Sequence, residues 1–262
     1  MIRVDELKEA VQAKYRKLAK NEDSAKSGCC SPGDVTNIMS DSYEGLEGYF
    51  HEADLGLGCG LPTQYAQIKP GHAILDLGSG AGNDCFIARK ECGLEGRVVG
   101  VDFVEEMVDR ATQNAEKLGY DNVSFIQSDI ENMPLDDESF DVVVSNCVLN
   151  LLPKKDKIFG EIYRVLKKGG HFSISDIVLV GHMPDALVAE AELFAGCVSG
   201  AIPVEDYLQL VAEAGFKNIT IQKQKPIALP SSMLEKYLDN AGIQQFTAGE
   251  SAISSLQLFA SK

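Results

Sequence analysis

Apolar positions recur along this chain in two different periods, and the change from one to the other predicts its elements. Val4, Leu7, Val11, Tyr15 and Leu18 follow one another at three- and four-residue steps, which predicts an amphipathic helix ending near Asn21. Residues 21 to 37, NEDSAKSGCCSPGDVTN, gather Ser, Gly, Asp and Pro around Cys29 and Cys30 and read as a loop. From residue 73 onward, short apolar runs rich in β-branched residues alternate with helical stretches. Strands are predicted at 73–77, 97–102, 123–127, 141–146 and 171–178, with helices near 83–92, 105–118 and 154–166. Such alternation predicts a parallel sheet with helices on both faces, the doubly wound α/β class. After residue 180 the period shifts. Residues 184–197, 204–214 and 231–239 read as helices, and FKNITIQKQ and SSLQLFAS as strands.

This pattern divides the chain into an N-terminal helix with its cysteine-bearing loop (1–40), an α/β core (41–180), and a cap with completing strands (181–262). A length of 262 residues buries a full core in one catalytic domain with extensions. The 39 acidic and 24 basic residues leave a formal charge of -15, which repels phosphate backbones and anionic membrane surfaces, so neither nucleic acid nor membrane is an expected partner. The N-terminus carries no apolar signal-peptide core and no run approaches a membrane span, which predicts a cytoplasmic protein. In that reducing compartment the seven cysteines are better explained by metal binding, catalysis or packing than by a disulfide scaffold.

The first predicted strand runs into Asp76-Leu77-Gly78-Ser79-Gly80-Ala81-Gly82-Asn83, where glycines permit close approach of a ligand to the backbone. A dinucleotide fingerprint requires its third glycine where Asn83 stands, so the spacing speaks against NAD. Asp102 closes the second strand, where its carboxylate can accept both ribose hydroxyl hydrogens. Asp129 follows the third strand at the same rim, placed to meet an adenine amino group. These residues by themselves predict a nucleoside-binding α/β domain.

The segments DLGSGAGND, VVGVDF, SDIENMPL and LKKGGHFSISD resemble successive motifs of class I S-adenosylmethionine-dependent methyltransferases over roughly residues 70 to 180. The resemblance implies a Rossmann-like, mostly parallel seven-stranded sheet with an antiparallel last strand, which FKNITIQKQ and SSLQLFAS would complete. It implies further that Asp76, Gly78, Ser79 and Gly80 line the methionine end of the cofactor, Asp102 the ribose, and Asp129 with Ile130 the adenine. Phe103, Met107 and Asn146 are counted with this pocket.

The methyl acceptor must then be read from residues outside the common motifs. Cys59 precedes the first strand in LGLGCGLPTQ, Cys147 follows the fourth in SNCVLNL, and Cys197 lies in AGCVSGAIP after the fifth. Strand-end positions at the carboxyl rim of a doubly wound sheet converge on one crevice. Cys147 and Cys197 also fit the role of small buried hydrophobes, whereas Cys59, flanked by glycines, does not sit on a core face. Cys85 and Cys92, seven apart on one helix face, read as structural.

A second resemblance bears on these thiols. EADLGLGCGLPTQYA, VSNCVLNLLPKK and LFAGCVSGAIP are similar to segments of arsenite methyltransferases over most of residues 40 to 203. That family implies Cys147 and Cys197 as the arsenic-binding pair. Cys59 joins them as third thiol, with an exchange partner in Cys29 or Cys30. Soft thiolates suit trivalent arsenic, which takes three sulfurs and keeps a lone pair free as the nucleophile. Attack on a sulfonium methyl needs in-line placement and a dry pocket more than a general base, so no catalytic histidine is expected, and His51 and His171 read as ordinary residues. Methylation oxidises arsenic formally, and a dithiol can return the electrons by closing a disulfide that a thioredoxin-like protein or a small thiol reopens.

Two other functions use some of these residues. A methyltransferase for a quinone or sterol shares the cofactor motifs but has no use for three rim thiols. A metalloid or zinc sensor would employ Cys29, Cys30, Cys59 and Cys197 without catalysis, against which stands the absence of any CxxC pair.

Overall fold

The computed structural model describes residues 4–20, 41–181, 200–227 and 252–262, together with Glu235, Asp239, Gly242 and Ile243. Its elements are α1 (Val4–Lys20), β1 (Ala73–Leu77), α2 (Asn83–Cys92), β2 (Arg97–Asp102), α3 (Glu105–Leu118), β3 (Val123–Gln127), β4 (Phe140–Asn146), α4 (Lys155–Val165), β5 (Leu166–Val180), α5 (Val204–Glu213), β6 (Lys217–Ile227) and β7 (Ala252–Ser261). The helices expected over 184–197 and most of 231–239 lie outside the described residues, as does the loop carrying Cys29 and Cys30. Three short pieces carried no periodic signal: 3-10 turns at His51–Ala53 and Leu149–Leu151 and a single helical turn at Pro62–Tyr65.

The strands form one seven-stranded sheet in the order β3-β2-β1-β4-β5-β7-β6. β1 to β5 run parallel, while β7 is antiparallel to both β5 and β6. The two strands predicted after residue 180 therefore complete the core sheet itself. β5 begins five residues earlier than its apolar run suggested, because Leu166 already pairs with Phe140 before a register shift.

Alternation along the strands feeds two apolar layers. Leu75, Leu77, Val99, Val101, Val143, Phe172 and Ile174 face α4 and α5, whereas Ile74, Val98, Val142 and Val144 face Cys85, Phe86, Ala88 and Cys92 of α2. All five residues of β1 are buried, as befits the middle of a sheet covered on both faces. α1 lies against α3, held by Arg16 and Lys20 on Glu106 at 3.0 and 2.9 Å. No helix among the described residues is long and apolar enough to cross a membrane.

Phe172 ties the first layer together. It is fully buried and meets Phe159 and Phe216 at ring-centroid distances of 6.0 and 4.9 Å. Replacing Phe172 by Ala is expected to cost about 3–5 kcal/mol, read as a lower urea midpoint with an unchanged slope. A loss within experimental error would remove Phe172 as the link between α4 and the β6 end of the sheet.

Candidate functional site: a rim cavity with two thiols beneath and beside it

The chain order reverses at β1: β2 and β3 lie on one side of it, β4 and β5 on the other. At such a point the loops leaving the strands diverge and open a crevice beyond their carboxyl ends. A cavity of about 1020 Å³, counting its open mouth, occupies this place. Its walls include the strand ends and following loops of β1 (Asp76 and Gly78 to Ala81), β2 (Asp102, Phe103), β3 (Ser128 to Ile130) and β4 (Asn146 to Val148).

The glycine loop brings the backbone to this wall. Gly78 has φ +69, and a Cβ there would stand 2.4 Å from the Val148 side chain. Gly80 N–H donates to one oxygen of Asp102 at 3.0 Å, and Val104 N–H donates to the other at 2.9 Å. Each oxygen so held keeps a lone pair for a further donor, which suits a pair of ribose hydroxyls. Burial pushes the Asp102 carboxyl above its ordinary value, opposed by those backbone donors.

The neighbouring part of the wall is acidic and under-satisfied. Asp84, in the first turn of α2, accepts at Oδ2 from Tyr43 O–H at 2.7 Å and from Asn146 Nδ2 at 3.2 Å. Its other oxygen has no partner, nor have Ser79 Oγ and Asn83 Nδ2, all three buried in residues that line the cavity. An orphaned buried polar atom costs about 1–3 kcal/mol, so three of them together leave this part of the wall costly as it stands. Burial raises the Asp84 carboxyl to about 6 despite the Tyr43 and Asn146 donors. Asp76 is pushed well up by burial and by Asp84, while Cys85 donates its thiol hydrogen to Asp76 at 3.2 Å. A cation placed among these acids would offset their mutual repulsion.

Phe103, Met107 and Ile130 give the wall an apolar part. Asp129 stands beside them, but its carboxylate is engaged: Lys8 of α1 donates at 2.6 Å and Glu131 N–H at 2.9 Å. Lys8 and Tyr15 thus bring α1 to the same wall.

Cys147 lines the cavity and is the first residue beyond β4, with φ +61 in the left-handed region that disfavours a side chain. Its N–H donates to Ser175 O on β5 at 2.8 Å. Cys59 is buried, and its Sγ lies 3.8 Å from the Oγ of the same Ser175. The glycine on its far side explains the approach: a Cβ on Gly60 would sit 2.0 Å from Ser175 Oγ. The Tyr207 hydroxyl donates to Asp176 at 3.1 Å; burial and the Asp176 carboxylate push it well above its ordinary value, with smaller contributions from the nearby Cys59 and Cys147. Cys197, Cys29 and Cys30 lie outside the described residues. Among the described residues no group of three His, Cys, Asp or Glu side chains could hold a metal ion.

Comparison with known proteins assigns this arrangement to a family. A family model for a methyltransferase domain matches residues 68–234. An arsenite methyltransferase of Halobacterium salinarum is 40% identical over 83% of this chain and 59% of its own length. Another, from Aquipseudomonas alcaligenes, is 34% identical over 89% of this chain and 68% of its own. The crystal structure of CrArsM, an arsenic(III) S-adenosylmethionine methyltransferase from Chlamydomonas reinhardtii, superposes with a TM-score of 0.65 at 31% identity, covering 87% of this chain and 73% of that one. The chain belongs to the arsenite methyltransferase family. It spans about six tenths of the Halobacterium protein's length.

Within that family's fold, the cofactor residues expected from sequence divide by position. Asp76, Gly78, Ser79, Gly80, Asp102, Phe103, Met107, Asp129, Ile130 and Asn146 all line the cavity. Asn146, however, spends its amide on the chain around Cys59: Oδ1 accepts from Cys59 N–H at 3.0 Å and Nδ2 donates to Gly60 O at 2.8 Å. Sequence reasoning missed Tyr43, Asn83 and Asp84. An acid in the first helical turn directly after a glycine loop was the available signal for Asp84, whereas Tyr43 reaches it from 41 residues away and left none. Cys85 and Cys92 are buried in α2, in agreement with their structural reading. His171 is tied to Ala66 O at 2.6 Å, away from the cavity.

The raised Asp84 carboxyl has a thermodynamic consequence. Its folded value of about 6 exceeds an unfolded value of about 3.9, so its contribution to stability is complete below pH ~4 and lost as pH rises through ~6. Urea midpoints of Asp84→Asn should therefore gain on the parent protein between pH 4 and pH 8. Parallel profiles would remove the buried charge.

Proposed function

We propose that this chain is an S-adenosylmethionine-dependent methyltransferase whose acceptor is trivalent arsenic held by cysteine thiolates. The observation that carries this reading is the meeting of Cys59 and Cys147 at Ser175, with Cys147 on the cavity wall. Family membership supports it as well. So does the anchor at Gly200, three residues beyond Cys197: Gly200 lies against the carbonyl of Asn150, three residues beyond Cys147, and its own carbonyl accepts from the buried Lys155 at 2.8 Å.

The cavity fits the cofactor by its donor set. Asp102 can take the ribose hydroxyls, and Phe103, Met107 and Ile130 the adenine faces with Asp129 at their edge. Ser79, Asn83 and Asp84 hold unpartnered polar atoms at the end suited to an amino acid and its cationic neighbour. S-adenosylmethionine supplies an electrophilic methyl on a sulfonium, whose charge disappears on transfer. The protein's task is then to bind, align and keep water out.

Cys147, Cys197 and Cys59 would hold arsenic through three sulfurs and leave its lone pair toward the methyl. As the arsenic–carbon bond forms, arsenic loses two electrons formally. Cys59 and one of Cys29 or Cys30 return them by closing a disulfide, which a thioredoxin-like protein or a small thiol in the cytoplasm reopens by exchange.

The purified protein, incubated with arsenite, S-adenosylmethionine and thiol, is expected to yield methylated arsenic identified by mass. Cys147→Ser and Cys197→Ser should each abolish that product while leaving the cofactor Kd within about twofold, since neither thiol is needed to hold the nucleoside. Methylation retained in both variants would remove the arsenic assignment. Asp102→Ala should weaken cofactor binding about 10- to 100-fold by calorimetry, the loss of charge-assisted hydrogen bonds. An unchanged Kd would take the ribose role away from it.

A further inference from the structure

Asn146 ends β4 and stands between the acidic end of the cavity and the chain that carries Cys59. Oδ1 accepts from Cys59 N–H at 3.0 Å and lies 3.9 Å from Cys59 Sγ. Nδ2 has three acceptors in reach: Gly60 O at 2.8 Å, Asp84 Oδ2 at 3.2 Å and the Tyr43 hydroxyl oxygen. An amide carries only two hydrogens, so these three compete. The glycines on either side of Cys59 make the approach possible, since a Cβ on Gly58 would stand 2.7 Å from Asn146 Nδ2. From the other side Ser255 Oγ donates to Cys59 O at 2.6 Å. The next residue along the chain is Cys147 itself, turned into the left-handed region. One carboxamide is thereby joined covalently to one thiol residue, by hydrogen bonds to the other, and by a shared hydrogen to the acid that faces the cavity.

We propose that Asn146 is a positioning residue that holds Cys59 in register with Cys147 and ties that register to occupancy of the Asp84 end of the cavity. A ligand cation drawn to Asp84 takes up its negative charge, weakens its claim on Nδ2, and lets the amide close more firmly on Gly60 and Cys59. The residue thus couples the nucleoside half of the site to the thiol half, and the coupling acts equally in both directions. The second clause of this proposal rests on the S-adenosylmethionine reading, whereas the hold on Cys59 does not.

Alkylation by iodoacetamide, followed peptide by peptide by mass, tests both parts. Cys92 serves as the internal monitor because it is buried at the C-terminal end of α2, with its thiol on the Arg89 and Gly93 carbonyls. In Asn146→Ala, Cys59 is expected to react about tenfold faster than in the parent protein, with Cys92 unchanged. S-adenosylhomocysteine, at concentrations that calorimetry shows to saturate each protein, should slow Cys59 in the parent several-fold and leave its rate unaltered in the variant. Equal Cys59 rates without ligand in parent and variant would overturn the proposal. So would equal protection by the ligand in both.

If Cys92 accelerates together with Cys59 in Asn146→Ala, the comparison passes to Asn146→Ser, whose side chain is too short to reach Cys59 N–H. Equal Cys59 rates there overturn the proposal, and a selective rise supports it. Should the parent fail to bind S-adenosylhomocysteine by calorimetry, the cofactor reading falls, and the ligand-free rates still decide whether Asn146 holds Cys59.

Discussion

Parallel pairing imposes one constraint from which most of this molecule follows: each strand must return to its starting edge before the next can pair, so all carboxyl ends collect at one rim. In this chain β1 to β5 obey it, and the order turns back on itself across β1. The crevice left there is the place where Asp76, Asp102, Asp129 and Cys147 arrive from four different loops. The antiparallel β7 and β6 extend the sheet on the thiol side, where Ser255 of β7 meets the Cys59 carbonyl.

The rim is electrostatically unfinished. Asp76, Asp84 and Asp102 are buried close together, and burial raises all three carboxyls. Gathering acids without cationic partners costs folding free energy, and the cost is tolerable where a ligand brings the missing charge. Contrast the far side of the thiols, where Asp176 is also raised, to about 7, yet is served by Tyr207, the Ile177 N–H and the field of Lys155. The internal acid is provided with partners, whereas one oxygen of Asp84 is buried without any.

The thiols are placed by backbone rather than by their own side chains. Cys147 enters the cavity wall because β4 stops at Asn146 and the chain turns with a positive φ. Cys59 is carried in by a glycine-flanked segment that packs where a Cβ would collide with Asn146 on one side and Ser175 on the other. The rule behind both is the same: thiols hydrogen-bond too weakly to place themselves, so the surrounding amides and hydroxyls must.

The seven strands, the glycine loop and the strand-end acids were legible in sequence because each is a local signal: a two-residue alternation, a run of small residues, an acid where an apolar run stops. Their boundaries held closely for β1, β2 and β3, whose apolar runs are short and cleanly bounded, and less well for β5, whose first residues pair through a bulge that no periodicity marks. The resemblance of three cysteine-bearing segments to arsenite methyltransferases was legible in the same local way. What only the tertiary structure decided is which residues meet: Tyr43 with Asp84, Lys8 with Asp129, and the Asn146 amide with Cys59 in place of a purely cofactor-facing role. Such contacts span 41 to 121 positions along the chain, and no periodic pattern encodes a pairing whose partners share no local backbone. Sequence determined the elements and the chemistry available to them; folding selected which groups would be left to face a ligand.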